Sequence, residues 1–353
     1  MLTNSPENSL LPYVQQFQSA LGFSILEDQK LFQLAQSIDS RLAQNQVLYE
    51  FSIGSEHLEI DLACWLPSAC NMIEICSKSD IPPQWERMLN AHFHVEHEEN
   101  WPGWKGIWLE FDSHGSMQNR PNIFFTFSGR ELNSAAFARR LVSLVEKYVG
   151  MSVSIQRNIE KLITHAPFLN IVQIGFLLPR GMGDRVKVCL LNVSENEVEF
   201  LQELLQFSVS PHVKDLWKII IQEKAHWVLA LDLFPDQEIR SAFEIQPVQK
   251  PFSAQYSWLP LLDHLSISKS PHINLDIVHG HVQTGIGASQ WPPDIKREWQ
   301  QRPEIVDSLM LTSLNHVKLY DAGHGESILK YYYLQQPVLK TREGKYERPG
   351  PYL

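Results

Sequence analysis

Four carboxylate side chains stand in the middle of apolar, strand-like stretches of the sequence: Glu59, Glu110, Asp232 and Glu244. In each stretch the acids alternate with bulky apolar residues, so the two kinds of side chain occupy opposite faces of the predicted strand. Acids that share an enclosed space raise one another's pKa values, and they can act as bases or bind a cation. The alternative is a set of outward surface acids, but the apolar residues opposite them favour an inward orientation.

Basic and aromatic side chains follow the same alternation. On one predicted strand Arg185 and Lys187 lie on the face opposite Val186 and Val188. The four basic residues on such faces are Arg185, Lys187, Lys318 and Lys330. Tyr320 and Tyr332 each follow one of these lysines by two positions and therefore share its face. A half-exposed sheet would show the same charges, and tyrosine is common in strands, so this pattern alone does not distinguish a site from a solvated face.

Several histidines have the spacing of metal ligands. They are His92, His94 and His97, with Glu96 among them, and the pair His279 and His281. Without a matching Cys or Asp framework, this spacing favours loop histidines over a metal centre, and a metal-dependent hydrolase is the weakest of the functional hypotheses. The sequence also lacks a Walker lysine, a nucleophile elbow and a dinucleotide-binding fingerprint.

The elements that must position these side chains are best seen in the middle of the chain. Residues 171–178 and 185–193 are predicted strands, joined by the turn-rich residues 179–184. A predicted helix follows, opened by Ser194 and Glu197 in the spacing of a capping box. The unit is therefore a hairpin followed by a helix.

This unit recurs along the chain. Further hairpins are predicted at 47–53 with 57–65, 106–112 with 122–127, 226–233 with 239–246, and 315–320 with 327–334. Helices are predicted at 10–42, 85–89, 133–150, 214–223, 258–265 and 303–311, while 266–293 breaks the rhythm. Strands with one face covered by helices and a polar face turned inward favour a closed barrel with a functional lumen. We expect a single barrel domain over 1–336 with a helical lead-in at 1–46, and an extended or loose tail at 337–353.

Composition limits the function classes. The chain has 353 residues and a formal net charge of -10, which argues against binding nucleic acid through the overall field. Its four cysteines, Cys64, Cys70, Cys76 and Cys189, lack C-x-x-C spacing and are expected to be reduced thiols. Neither a signal peptide nor a membrane span is predicted, so we expect a cytoplasmic protein that does not associate with membranes.

Five antiparallel hairpins separated by helices resemble the ABBA architecture of the prenyltransferase barrel. The resemblance covers residues 47–334 and consists of element order and strand-face polarity, without a diagnostic string. It implies an α+β fold, in which ten antiparallel strands from five helix-hairpin repeats close around a lumen with the helices outside.

The resemblance also implies roles for the alternating side chains. Members of the family bind a prenyl diphosphate with inward Lys and Arg, shield an allylic cation with aromatic rings, and place a carboxylate near the acceptor. The positions that would bind the diphosphate are Arg185, Lys187, Lys318 and Lys330. The cation shield would be Trp108, Tyr320 and Tyr332; the catalytic carboxylate would be Glu59 or Glu110, with Asp232 and Glu244 binding the acceptor. No organic cofactor is expected.

The predicted lumen differs from the family pattern in its acidity, because Asp61, Asp112 and Asp232 also face inward. Either Mg²⁺ bridges the charges, or the acceptor is a cationic side chain, or the family activity has been lost. The leading hypothesis is a prenyltransferase of natural-product biosynthesis that modifies a small-molecule or peptide acceptor. The competing hypothesis is a non-catalytic, barrel-shaped accessory protein that binds a cationic peptide.

Overall fold

The structure is a computed structural model of the chain. It describes residues 9–22, 24–43, 46–53, 59–67, 76, 80–93, 101, 104–113, 120–127, 134–165, 169–178, 185–210, 213–215, 218, 226–235, 239–246, 282–285, 293–321 and 327–347.

The strands of the described residues form one antiparallel sheet. In chain order they are β1 (Gln46–Ile53), β2 (Glu59–Pro67), β3 (Trp104–Phe111), β4 (Asn122–Phe127), β5 (Ile171–Phe176), β6 (Val186–Leu191), β7 (His226–Leu233), β8 (Arg240–Gln246), β9 (Val282–Gly285), β10 (Ile305–Asp321), β11 (Ser327–Thr341) and β12 (Tyr346–Glu347). Strands β1 to β8 pair in sequence order, β8 pairs with β10, β10 with β11, and β11 with β1. Ten strands therefore close a ring, to which the short β9 and β12 are added.

Helices lie along one side of these strands. They are α1 (Leu11–Leu21), α2 (Gln29–Ser37), α3 (Pro83–His92), α4 (Ser134–Tyr148), α5 (Val153–His165), α6 (Glu195–Leu205) and α7 (Pro293–Gln301). The predicted capping box of α6 is confirmed: Ser194 Oγ accepts a hydrogen bond from the Glu197 N–H at 3.4 Å, and Glu197 Oε2 accepts one from the Ser194 N–H at 2.5 Å. Satisfying both donors fixes where this helix begins.

One large apolar core fills the space between the helices and the sheet. On β6, Val186 and Val188 are buried in this core together with Val198 and Leu201 of α6, whereas Lys187 lies outside it. The same division holds on β2 and β3, where the acids alternate with core residues. The strand face opposite the core, here called the lumen face, therefore carries the polar residues, as the sequence predicted.

Two predicted helices differ from the structure. The single helix at 10–42 is divided, because α1 ends at Gly22 in a left-handed conformation (φ 77°) and Asp28 caps α2. The helix at 303–311 is wrong: these residues begin β10, with Leu309 opposite Val338 and Leu311 opposite Gln336. Pairing with β11 satisfies the backbone there and overrides the local spacing of apolar residues. The predicted helix at 258–265 lies outside the described residues, as does most of the predicted helix at 214–223.

Among the described residues, the helices are all too short or too polar to cross a membrane. The described cysteines, Cys64, Cys76 and Cys189, are free and buried, which confirms the predicted thiols at these positions.

Candidate functional site

Two ion pairs join neighbouring strands of the lumen face. Lys330 of β11 pairs with Glu50 of β1, and Lys318 of β10 pairs with Glu244 of β8. The register places Lys318 directly opposite Lys330. Their Nζ atoms lie 5.1 and 5.6 Å from the centre of the Tyr320 ring, so both ammonium groups contact one aromatic side chain.

These four groups are charged together. Burial disfavours the ionised form of Glu50, but the charge and hydrogen bond of Lys330 outweigh it and hold the Glu50 pKa below its usual range. Burial is likewise outweighed at Glu244, where Lys318 lowers the carboxyl pKa. The lysine pKa values are raised above their usual range despite burial, by Glu244 and Glu50 respectively. This part of the lumen is therefore charged but balanced.

A third ion pair joins Arg185, directly before β6, to Asp232 of β7. Arg185 Nη2 is 2.5 Å from Asp232 Oδ2, and both side chains are largely buried. The Arg185 guanidinium lies 4.8 Å from the Phe234 ring, and that of Arg240 lies 5.3 Å from the same ring. Burial opposes ionisation of Asp232, but Lys187 and Arg185 hold its pKa below the usual range. The Phe234 ring therefore contacts Arg185 of this ion pair and also Arg240.

Lys187 differs from the other lumenal cations because it has no ion pair within the described part of the chain. Its side chain is buried, with the residue 6% exposed, and its Nζ lies 5.3 Å from the Phe124 ring. In the register Lys187 is opposite Asp232 on one side and Gly175 on the other. Of the predicted diphosphate-binding residues, it is the one without a direct ion pair among the described residues, although its charge lowers the pKa of Asp232.

The lumen face of β2 to β4 carries acidic side chains. Asn122 Nδ2 donates to Glu110 Oε1 at 3.1 Å and to Asp112 Oδ1 at 3.5 Å. Asn122 is fully buried, and its Oδ1 has no hydrogen-bond donor among the described residues. Within the described part of the lumen this acceptor atom is buried without a donor, and such an atom usually has a protein, water or ligand partner.

Asp61 lies on the same wall, opposite Glu50 in the register. It accepts hydrogen bonds from the Ser113 N–H at 2.8 Å and the Ser113 hydroxyl at 3.2 Å. Burial, followed by the charges of Glu50 and Asp112, raises the Asp61 pKa to about 8. Asp61 is thus poised to exchange a proton near neutral pH.

Aromatic side chains border the ion pairs. Tyr332 donates a hydrogen bond to Glu50 and stacks on His316, with ring centres 3.9 Å apart and planes 16° apart. Burial lowers the His316 pKa to about 4, so this imidazole is neutral at physiological pH. Trp108 lies farther along the wall, 5.2 Å from the Trp65 ring.

The structure brings some of the predicted site residues together and separates others. Lys318, Lys330 and Tyr320 form one group, and Glu110 lies with Asn122. The predicted acceptor-binding acids Asp232 and Glu244 lie against predicted diphosphate-binding cations. Glu59 is half-buried at the start of β2, opposite Ser52, and Trp108 contacts Trp65.

Sequence reasoning missed four residues of this site: Glu50, Phe124, Asn122 and His316. Glu50 alternates with the core residues Tyr49 and Phe51, so the signal that identified Glu110 was present there too. His316 precedes Lys318 by two positions in regular register, so the alternation that identified Lys318 and Tyr320 also places it on their face.

The metal hypotheses gain no support. The described residues contain no group of three or more His, Cys, Asp or Glu side chains placed to hold a metal ion. Of the predicted histidine ligands, His92 lies at the end of α3, not in a loop, and its Nε2 is 3.2 Å from the Tyr148 hydroxyl. His94, His97, His279 and His281 lie outside the described residues. Mg²⁺ bridging stays a prediction.

Comparison with known proteins identifies the fold. No protein-family model and no curated protein matches the sequence. Among solved structures the chain is similar to NotF prenyltransferase, with TM-score 0.51 and 10% identity over 94% of this chain and 96% of NotF. A structure of NotF in complex with brevianamide F and DMSPP gives TM-score 0.51 and 10% identity over 94% and 95%. AnaPT from Neosartorya fischeri gives 0.48 and 11% over 94% of each chain. The similarity to NotF confirms the ABBA prenyltransferase-barrel fold.

Proposed function

We propose that the protein is a prenyltransferase, which transfers a prenyl group from a prenyl diphosphate to a small-molecule or peptide acceptor with a cationic reacting group. The observation that carries the proposal is the pairing of cations with aromatic rings on the lumen face. Tyr320 contacts Lys318 and Lys330, and Phe124 contacts Lys187. Ammonium groups suit a leaving diphosphate, and ring faces suit the allylic cation left behind.

The similarity to NotF supports the proposal, because NotF has been solved with DMSPP and brevianamide F in a barrel of the same fold. Fold similarity alone does not define a reaction, so the proposal depends on the lumen side chains.

The reaction would proceed by breaking the carbon–oxygen bond of the donor. Diphosphate departs with the bonding electron pair, and Lys187, with Lys318, Lys330 and Arg185, stabilises its charge. A nucleophilic atom of the acceptor forms the new bond to the allylic carbon and loses a proton to a carboxylate. Glu110 or Glu59 is the predicted base, and the raised pKa of Asp61 makes it a further candidate. The enclosed lumen keeps water from the cation.

The test is incubation of the purified protein with prenyl diphosphates of increasing chain length. Acceptors carrying a guanidine, an imidazole or an amine are compared with neutral analogues, and products are detected by mass spectrometry. We expect a prenyl mass gain on a cationic acceptor, abolished in Lys187→Met. An absence of product with every donor and acceptor would overturn the proposal.

The ion pairs also favour a second candidate. Three of the four predicted diphosphate-binding cations are held by carboxylates in the described structure, as would be expected of a protein that no longer binds diphosphate. Such a protein would bind a cationic peptide in its acidic lumen without reacting. Calorimetry separates the two candidates, because an accessory protein would bind an arginine-containing peptide but not pyrophosphate.

A further inference from the structure

Two lysines and two glutamates of the lumen form ion pairs with each other. Glu50 is bound by Lys330 and by the Tyr332 hydroxyl, and Glu244 is bound by Lys318. A diphosphate that binds the two lysines would therefore compete with both glutamates for the ammonium charges. A buried carboxylate that loses its partner is strongly unfavourable, so the diphosphate alone would bind weakly at these positions.

Among the described residues, Glu50 forms its only ion pair with Lys330, although the charge of Lys187 also acts on it. Its register neighbour on β2 is Asp61, which carries hydrogen bonds from Ser113 and is already disfavoured as an anion by Glu50. A Glu50 without its lysine would disfavour the Asp61 anion further. A cation that enters beside Glu50 and Asp61 would remove that effect.

The same wall indicates what kind of cation fits. Asn122 is fully buried, none of the described residues donates to its Oδ1, and it lies opposite Glu110 in the register. Carboxylate and amide oxygens here belong to several neighbouring strands and need several N–H donors at once. A guanidinium has five donors in a planar, permanently charged group, whereas an ammonium is a compact charge with three.

We propose that the two substrates bind by ion-pair exchange: the diphosphate takes Lys318 and Lys330, and a guanidinium acceptor takes the released Glu50 and its acidic neighbours. Each ligand then repairs the charge imbalance that the other creates, so the two bind with positive coupling. This inference rests on the proposed function, because it assigns both substrates of the same lumen.

The coupling is measured by titrating inorganic pyrophosphate calorimetrically into the full chain, alone and with saturating N-acetyl-arginine amide. We expect pyrophosphate to bind more tightly with the arginine compound by a factor of roughly 5–150. N-acetyl-citrulline amide has nearly the same shape without the charge and should have no effect. Because coupling is reciprocal, pyrophosphate should tighten binding of the arginine compound by the same factor.

Variants test the origin of the coupling. In Glu50→Gln, Lys330 no longer has a carboxylate to release, so pyrophosphate should bind more tightly than to wild type without the arginine compound, and the coupling factor should be smaller. Glu244→Gln provides the same test at Lys318 if Glu50→Gln does not fold. Glu199→Gln, on the exposed face of α6, is the matched control and should behave as wild type.

The outcomes separate this inference from the proposed function. Equal pyrophosphate affinity with the arginine and citrulline compounds would overturn ion-pair exchange and leave prenyl transfer standing. Failure of pyrophosphate to bind to wild type and to both glutamine variants, with or without the arginine compound, would overturn both.

Discussion

The ring of Phe124 lies directly against the backbone of Gly175 on the neighbouring strand. A Cβ atom at Gly175 would lie 2.2 Å from Cδ1 and from Cε1 of that ring. The same ring is next to the ammonium of Lys187, the one lumenal lysine that lacks an ion pair among the described residues. Gly175 therefore leaves the space that this ring needs to contact Lys187.

Gly175→Ala should therefore displace the Phe124 ring and destabilise the protein by about 1–3 kcal/mol through overpacking. Urea unfolding measures the loss, and pyrophosphate calorimetry reports the change at Lys187. The control is the same substitution in a Phe124→Leu background, where the loss should be much smaller. An equal loss in both backgrounds would show that the ring is not the cause.

Lys187→Met should weaken pyrophosphate binding with little effect on stability. The lost charge-assisted contact is worth about 1.5–3 kcal/mol, which corresponds to roughly 10–150-fold in affinity. Stability should change little, because removing a buried cation without an ion pair in the described structure is offset by the loss of its charge beside Asp232, which keeps its pair with Arg185. Lys105→Met, at an exposed position of β3, should change neither quantity. Unaltered pyrophosphate affinity in Lys187→Met would contradict the proposed role of Lys187 in binding the diphosphate of the prenyl donor.

The Lys318–Glu244 pair is expected to behave as a unit. Lys318→Met or Glu244→Gln alone leaves one buried charge without its partner and should cost about 3–5 kcal/mol of unfolding free energy. The double variant should cost clearly less than the sum of the two. Urea unfolding of the wild type, the two single variants and the double variant completes a double-mutant cycle. Additive losses of unfolding free energy would mean that the two residues are not coupled.

Asp61 should make the protein less stable as the pH rises. Its carboxyl pKa is about 8 in the folded protein, against a usual value of 3.8, so the folded state retains a proton that the unfolded chain releases. The stabilisation is complete below about pH 4 and is lost progressively up to about pH 8. Asp61→Asn should flatten this slope in urea unfolding at several pH values. The exposed control Glu199→Gln should retain the slope, and a slope unchanged in Asp61→Asn would contradict the assignment.

The capping box offers a test of stability alone. Ser194→Ala removes the hydroxyl that accepts the Glu197 N–H and should cost about 0.5–2 kcal/mol. Ser143→Ala, at an exposed position inside α4, should have almost no effect on stability. Pyrophosphate affinity should be the same in both variants, since α6 and α4 lie outside the ring. Loss of affinity in Ser194→Ala would mean that this helix end positions the site.

The barrel could be predicted because its strand faces are periodic over many residues. Val186 and Val188 against Arg185 and Lys187 show the alternation with little ambiguity. On β7 it is weaker, because Val228 and Ala230 share the face of Asp232. Ser194 and Glu197 similarly mark the start of α6 through local chemistry. Residues 303–311 were misassigned because their strand conformation depends on β11, a partner that the local sequence does not reveal.

The pairing of charges could not be predicted. Glu50 and Lys330 are 280 residues apart and meet only because β11 returns to β1. Alternation placed Lys330 and Glu244 on the lumen face correctly, but which cation faces which acid follows from the register between strands. The sequence therefore indicated an acidic lumen without revealing that its cations were already bound.

The seam between β1 and β11 also constrains how the protein forms. Strand β1 can pair with β11 only after residues near the far end of the chain have been synthesised, because Val47 pairs with Gln335 and Ile53 with Leu329. Ordering so large a loop is entropically costly and slow. During synthesis, the Glu50 side of the wall remains without Lys330 until the last hairpin has left the ribosome, so the nascent chain cannot assemble this charge network early.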